Sequence, residues 1–248
     1  MVFNDKMTEI IELTGAERET MFQGFQAKAG DFFWELCFHN EREWFHAHKG
    51  EFDALIGTPM KELAADTYAL LLQRFPLLDA EVHVSRIWRD ARRLYGKGPL
   101  KENLWFSIEN ASVSGDGPSF YFEIEPAVFS YGMGFWCPRA EQMELFRKSV
   151  EANPAAFERL ASQVEEMDAF KLGGPFYKRP KGDFGEVVNA WYNRKSTYIF
   201  HEENFGGALL TPEMPFILAD AFENLMPMYE YLLSHATLPL HKIITSHC

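Results

Sequence analysis

The chain has 248 residues, 47% hydrophobic and 15% aromatic, with 36 acids against 24 bases and a formal charge of −12. A chain with 23 phenylalanines is not intrinsically disordered, and its acidic balance argues against general nucleic-acid affinity, which needs a broad basic face. Three widely spaced cysteines, Cys37, Cys137 and Cys248, with no CxxC pair, argue against a disulfide framework or a structural zinc site.

The opening MVFNDKMTEIIELTG has acids among its apolar residues, unlike a signal peptide. No run of ~18 apolar residues follows, so no membrane span is expected. These features point to a cytoplasmic protein. Residues 1–21 read as a short amphipathic extension. In FQAKAGDFFWELCFH, Phe25, Phe32, Phe33 and Leu36 fall at helical spacing. Asn40 stands where it can cap a second helix, EREWFHAHKGEFDALI, which Gly57 should end. Thr58-Pro59 then supplies an oxygen cap and a first-turn proline for a third helix, stopped by Pro76.

The middle of the chain changes period. VHVSRIWR, LWFSI and SFYFEIE are short and rich in aromatic or β-branched residues. In SFYFEIE, Phe120, Phe122 and Ile124 alternate with Tyr121, Glu123 and Glu125, the pattern of a strand with one buried face. SGDG marks a turn, and VFSYGMGFW places Gly132 and Gly134 on one strand face, where glycine signals a bulge or a tightly packed neighbour. Helices return with PRAEQMELFRKSV and with Asn153-Pro154, another cap followed by proline. KLGGPFYKRPKGDFG reads as a loop and STYIFH as a further strand. A last helix begins near Thr211 or Pro215 and should bury Leu218, Phe222, Leu225, Tyr229 and Leu232, with a kink expected at Pro227. The expected architecture is α+β: an antiparallel sheet of roughly four to six strands in the middle of the chain, flanked by N-terminal and C-terminal helices. No linker is visible, so residues 22–235 read as one domain and 236–248 as a tail.

FQGF at 22–25, NEREWFHAHKGEF at 40–52, SRIWRD at 85–90, VEANPAAF and KRPKGDF together resemble domain-of-unknown-function family 2461 over nearly the whole chain. The resemblance implies an α+β fold and carries no activity to transfer. Where the family pattern reads RD-x-RFSKDK-x-PYK, this chain reads RDARRLYGKGPLK. Arg89, Asp90, Arg92, Lys97, Pro99 and Lys101 match; Arg93, Leu94, Tyr95, Gly96 and Leu100 depart.

Ser85–Lys101 gathers six bases against one acid in an otherwise acidic protein. Arginine donors match carboxylate and phosphate oxygens, and lysine adds point charge. Arg89, Arg92, Lys97 and Lys101, with Arg42 from the NEREWF helix, are therefore the candidate ligand-binding residues for a small phosphorylated or carboxylated molecule. Alternatives are docking of an acidic protein partner through the basic loop, pairing of these bases with the protein's own acids, and single-stranded nucleic acid bound between Trp88, Tyr95 and Trp105. Arg86 and Arg89 point to opposite faces if their strand stays straight, so the bases cannot all converge. Whether a reaction follows binding is left open. His46 and His48 lie ~200° apart on a helix and cannot share a metal ion. GxGxxG, P-loop, GxSxG and HExxH patterns are missing, so no cofactor or metal is expected. Glu123 and Glu125, beside Tyr121, form a conceivable carboxylate pair.

Overall fold

The computed structural model describes residues 21–237 except 91, 93–96, 114 and 116. Most of the N-terminal extension and the C-terminal tail lies outside the described residues, as does the divergent segment Arg93–Gly96. The fold is α+β. Helices α1 (Lys28–Phe38), α2 (Arg42–Phe52) and α3 (Thr58–Arg74) precede strands β1 (Ala80–Val84), β2 (Leu104–Asn110), β3 (Ser119–Ile124) and β4 (Val128–Phe135). Then come α4 (Ala140–Ala152), α5 (Pro154–Glu165), β5 (Lys171–Gly173), α6 (Glu186–Tyr192), β6 (Thr197–Asn204) and α7 (Met214–Ala236). The six strands form one antiparallel sheet in the order β1-β2-β3-β4-β6-β5.

The alternation read in the sequence assigns the faces. Phe106, Ile108, Phe120, Phe122 and Met133 are buried on the face against α3 and α7, where the Phe120 ring stacks on Phe222 at 4.8 Å and on Tyr229 at 4.6 Å. α7 buries Leu218, Phe222, Leu225, Tyr229 and Leu232 as expected. It runs unbroken through Pro227, which lies on its exposed side, where Glu223 loses its helical backbone donor but its carbonyl can meet water. Among the described residues, no helix is long and apolar enough to cross a membrane.

Three local readings are corrected. First, Gly57 does not end a helix and Thr58 does not cap one. α2 and α3 are joined by a π turn, Asp53–Gly57, closed by the Thr58 N–H donating to the Asp53 carbonyl five residues back. Pro59, which has no N–H to give, fits immediately after that wide turn. Second, Asn40 does not cap α2: its side chain is committed elsewhere, and Glu41 precedes the helix without a side-chain cap bond. Third, the Gly- and Pro-rich segment from Lys171 is not all loop, because Lys171–Gly173 pairs with β6 as an edge strand. Asn153 does cap its helix, its Oδ1 accepting from the Ala156 N–H at 3.1 Å.

One hydrophobic cluster contains Leu36 of α1, Phe106 and Phe120 of the sheet, Phe146 of α4, Trp191 of α6 and Phe222 of α7. Limited proteolysis of the native protein is therefore expected not to release two stable halves of on the order of 100 residues each, since a cut through this cluster exposes core on both sides. Two such fragments persisting on a gel would refute a single domain.

Candidate functional site

The basic segment is divided between several environments. β1 ends at Val84, and the chain then bends before Trp88 pairs with Leu100 in an isolated bridge. Because the segment is not a straight strand, Arg86 and Arg89 both lie near enough to Lys101 to act on its charge. Arg89 is largely covered. Its Nε donates to the Leu100 carbonyl at 2.7 Å, and one terminal nitrogen lies 3.7 Å from Glu102. Arg92 faces solvent, 88% exposed, and grips Asp90 through Nε at 3.1 Å and Nη2 at 2.9 Å. Lys97 is exposed. Arg42, in the first turn of α2, lies over the Trp88 ring at 5.8 Å. The structure thus brings Arg89 and Lys101 together, with Arg86 nearby, and leaves Arg92 and Lys97 at the surface.

A single asparagine joins the two most distinctive sequence motifs. Asn40 Oδ1 accepts from the Leu100 N–H at 2.9 Å, and Nδ2 donates to the Leu100 carbonyl at 3.0 Å. The same carbonyl accepts from Arg89. Gly98 is required here, because a Cβ at that position would stand 2.3 Å from Asn40 Oδ1. Phe45 meets Trp88 edge-on at 5.2 Å. The helix start NEREWF and the basic segment SRIWRD…GPLK therefore form one corner.

From this corner Lys101 extends onto the second face of the sheet, opposite the helix-covered one. Its ammonium lies 5.5 Å from the Trp105 ring centre and donates to Ser85 Oγ at 3.0 Å. Burial is the main reason its pKa falls to about 8; Glu123 opposes the shift, while Arg89 and Arg86 add to it. Glu123 takes a hydrogen bond from Asn103 Nδ2. Its carboxyl is pushed up, chiefly by burial and then by Glu125, while Asn103 and Lys101 pull it down.

Beyond Lys101 a groove of about 510 Å³ runs across β1 to β4, lined by His83, Trp105, Ser107, Tyr121, Glu123 and Trp136, with Cys137 and Gln142 at one end. Tyr121 meets Trp136 edge-on at 4.9 Å, and Trp136 stacks on Tyr198 at 4.3 Å. Gly132 and Gly134 permit this close layering. A Cβ at Gly132 would stand 2.0 Å from the Ile199 carbonyl oxygen, and one at Gly134 would stand 2.7 Å from Tyr198 Cβ, so the packed-neighbour reading of the two glycines holds.

A family model described as conserved hypothetical protein, DUF2461, matches residues 28–231. The chain belongs to the DUF2461 family. No curated protein matches it. The DUF2461 match begins at the first residue of α1 and ends within α7, so it takes in the corner, the sheet and the groove. Sequence reading placed the basic corner of this DUF2461 chain but not the groove. The signal was present in LWFSIEN, where Trp105, Ser107 and Glu109 alternate with Phe106 and Ile108 as Tyr121 and Glu123 alternate with Phe120 and Phe122. Two adjacent strands with a polar, aromatic second face indicate a face left outside the main core. Glu123 shares that face with Tyr121, and Glu125, one residue past the end of β3, is near enough to raise the Glu123 carboxyl further.

Proposed function

We propose that the chain binds a small anionic organic molecule, phosphorylated or carboxylated, in the groove on the open sheet face, with the anion at Lys101 and Arg89. The observation that carries this reading is Lys101 itself. It is a half-buried ammonium whose one hydrogen bond among the described residues goes to a neutral hydroxyl, and it lies 5.5 Å from the ring of Trp105, which lines the groove together with Tyr121, Trp136 and the carboxylates Glu109 and Glu123. An anion there would offset the desolvation of the ammonium, and the rings of Trp105, Tyr121 and Trp136 supply apolar surface for the body of the ligand.

The test is thermal denaturation in phosphate, and in a panel of phosphorylated and carboxylated metabolites, against chloride at equal ionic strength. A ligand at a hundredfold excess over its Kd should stabilise the fold by about 2.7 kcal/mol. Lys101→Met keeps the apolar stem on Trp105 and should abolish the difference. The pH dependence has a definite sign. Folded Lys101 loses its proton near pH 8, while the unfolded chain keeps it to about 10.5, so between these values the unfolded state binds more protons. Stability of the free protein should therefore rise across pH 8–10.5 relative to Lys101→Met, while anion affinity falls as pH passes 8. Equal melting temperatures in chloride and in every anion of the panel would eliminate this function.

Docking of an acidic partner through the basic loop is favoured by one observation, the exposure of Arg92 and Lys97. That reading predicts binding lost in Arg92→Ala and Lys97→Ala and retained in Lys101→Met.

A further inference from the structure

A second concavity, about 550 Å³, lies between the outer edge of the sheet and the α2–π–α3 helix and shares only His83 of β1 with the groove lining. One wall is the continuous stretch Val82–Trp88. β1 is an outermost strand and is paired only with β2. The bonds that reach β2 and its extension come from alternate residues: the Ser85 N–H goes to Trp105, the Ile87 carbonyl accepts from Lys101, and the Arg89 N–H goes to Pro99. Pleating therefore turns the N–H and C=O of Val82, Val84, Arg86 and Trp88 outward into the concavity. Val82 and Val84 fall at the non-hydrogen-bonded positions of the β1–β2 register, and among the described residues Arg86 and Trp88 have no backbone partner.

The opposite wall is one stripe of the helix. Phe45, Lys49, Asp53, Gly57 and Lys61 recur every four residues. In an α-helix that spacing drifts ~40° per step around the axis. The π turn at Asp53–Gly57 holds more residues per turn, so it takes back part of the drift and keeps the stripe facing the strand. Phe45, Phe52 and Leu104 make the floor apolar. The charges are mostly positive. Lys49 is paired with Asp53, while Lys61 and Arg86 have no hydrogen bond or ion pair among the described residues.

We propose that this cleft is a peptide-binding site that takes an extended acidic segment of a partner protein as an added strand on β1. A strand edge with unspent backbone groups is used in full only by another backbone, and Lys61 on the helix wall with Arg86 on the strand wall, both without an ion pair among the described residues, select acidic side chains. Small apolar residues between those acids meet the floor of Phe45 and Phe52. The proposal does not rest on the groove reading; Arg86 also acts on Lys101, so Val84→Pro and Lys61→Glu, at positions that do not act on Lys101, separate the two sites.

The probe is a fluorescein-labelled peptide of repeating Thr-Glu-Thr-Val, followed by anisotropy and by amide hydrogen exchange on the full chain. Binding is expected, with exchange slowed at Val82, Val84 and Arg86. N-methylation of the peptide should weaken binding about tenfold or more, as expected for the loss of backbone hydrogen bonds. Replacing its glutamates by lysines should abolish binding. Val84→Pro removes an outward N–H that β2 does not use, so the fold should persist, as read by circular dichroism, while affinity falls. Lys61→Glu with Arg86→Glu should act through charge with β1 unchanged. Lysines of the same chain outside the cleft, such as Lys148, serve as controls. Failure of the acidic peptide to bind overturns the proposal. So does binding that tolerates N-methylation, or that leaves exchange at Val82 and Val84 unchanged. Displacement by decanoate together with unchanged exchange at β1 would instead assign the cleft to a small amphiphilic anion.

Discussion

Phe120→Ala is expected to lower stability by about 3–5 kcal/mol, the range for removing a large aromatic ring from a packed core. Phe120 is 1% exposed, in β3, an inner strand of the β1–β4 meander, with Ile108 and Met133 opposite it on the neighbouring strands. Its ring joins the sheet to α7, stacking on both Phe222 and Tyr229. Truncation loses the transfer energy of the ring and opens a cavity between a sheet and a long helix, neither of which can collapse far into the space. For a chain of this size the melting temperature should fall by roughly 10 °C. The midpoint in urea should fall with little change in slope, because the surface exposed on unfolding is nearly the same. Phe120→Leu should lose less, since it refills part of the volume. A loss below about 1 kcal/mol for Phe120→Ala would mean that α7 does not rest on the sheet through this ring.

What could be read from the sequence was decided by the range of the interaction involved. Phe120 and its alternating neighbours announced a one-sided strand because side-chain direction in a strand is fixed by local pleating. Asn153-Pro154 announced a helix start because a cap is made within four residues. The same local logic failed at Thr58-Pro59, where the sequence of a cap and a first-turn proline is equally compatible with a π turn inside a continuing helix. Packing of Leu55 and Ile56 into the core favours continuation. β5 was hidden because three residues of Gly-containing sequence form a strand only when β6 offers an edge. The basic segment was visible as composition, but its division between a covered Arg89, a solvent-facing Arg92 and a half-buried Lys101 depends on the bend after Val84 and on contacts with Glu102, Asp90 and Trp105. The groove is a property of four strands laid side by side, so it followed from the register and not from any one segment.

Asn40 separates local from long-range control most sharply, and its replacement should be costly in a diagnostic way. Asn40→Ala is expected to destabilise by about 2–4 kcal/mol, through two lost hydrogen bonds and a buried Leu100 N–H left without a partner. The decisive variant is Asn40→Asp. Aspartate caps helices as well as asparagine does, so a capping role would make this change nearly neutral. In the corner observed here the carboxylate can still accept from the Leu100 N–H, but its second oxygen replaces a donor and is set against the Leu100 carbonyl. Repulsion and a lost bond should then cost about 1–3 kcal/mol, measured by urea denaturation at neutral pH. Acidification through the carboxyl pKa should recover part of the loss relative to the parent, because the new side chain, once protonated, can again donate to that carbonyl. The effect should also reach the candidate site. Leu100 immediately precedes Lys101 and shares its carbonyl between Asn40 and Arg89, so releasing the corner frees both cations proposed to hold the anion. Anion-dependent stabilisation should weaken in Asn40→Asp even after its lower baseline stability is subtracted. A neutral Asn40→Asp would return Asn40 to the role of a helix cap and detach the NEREWF motif from the basic segment.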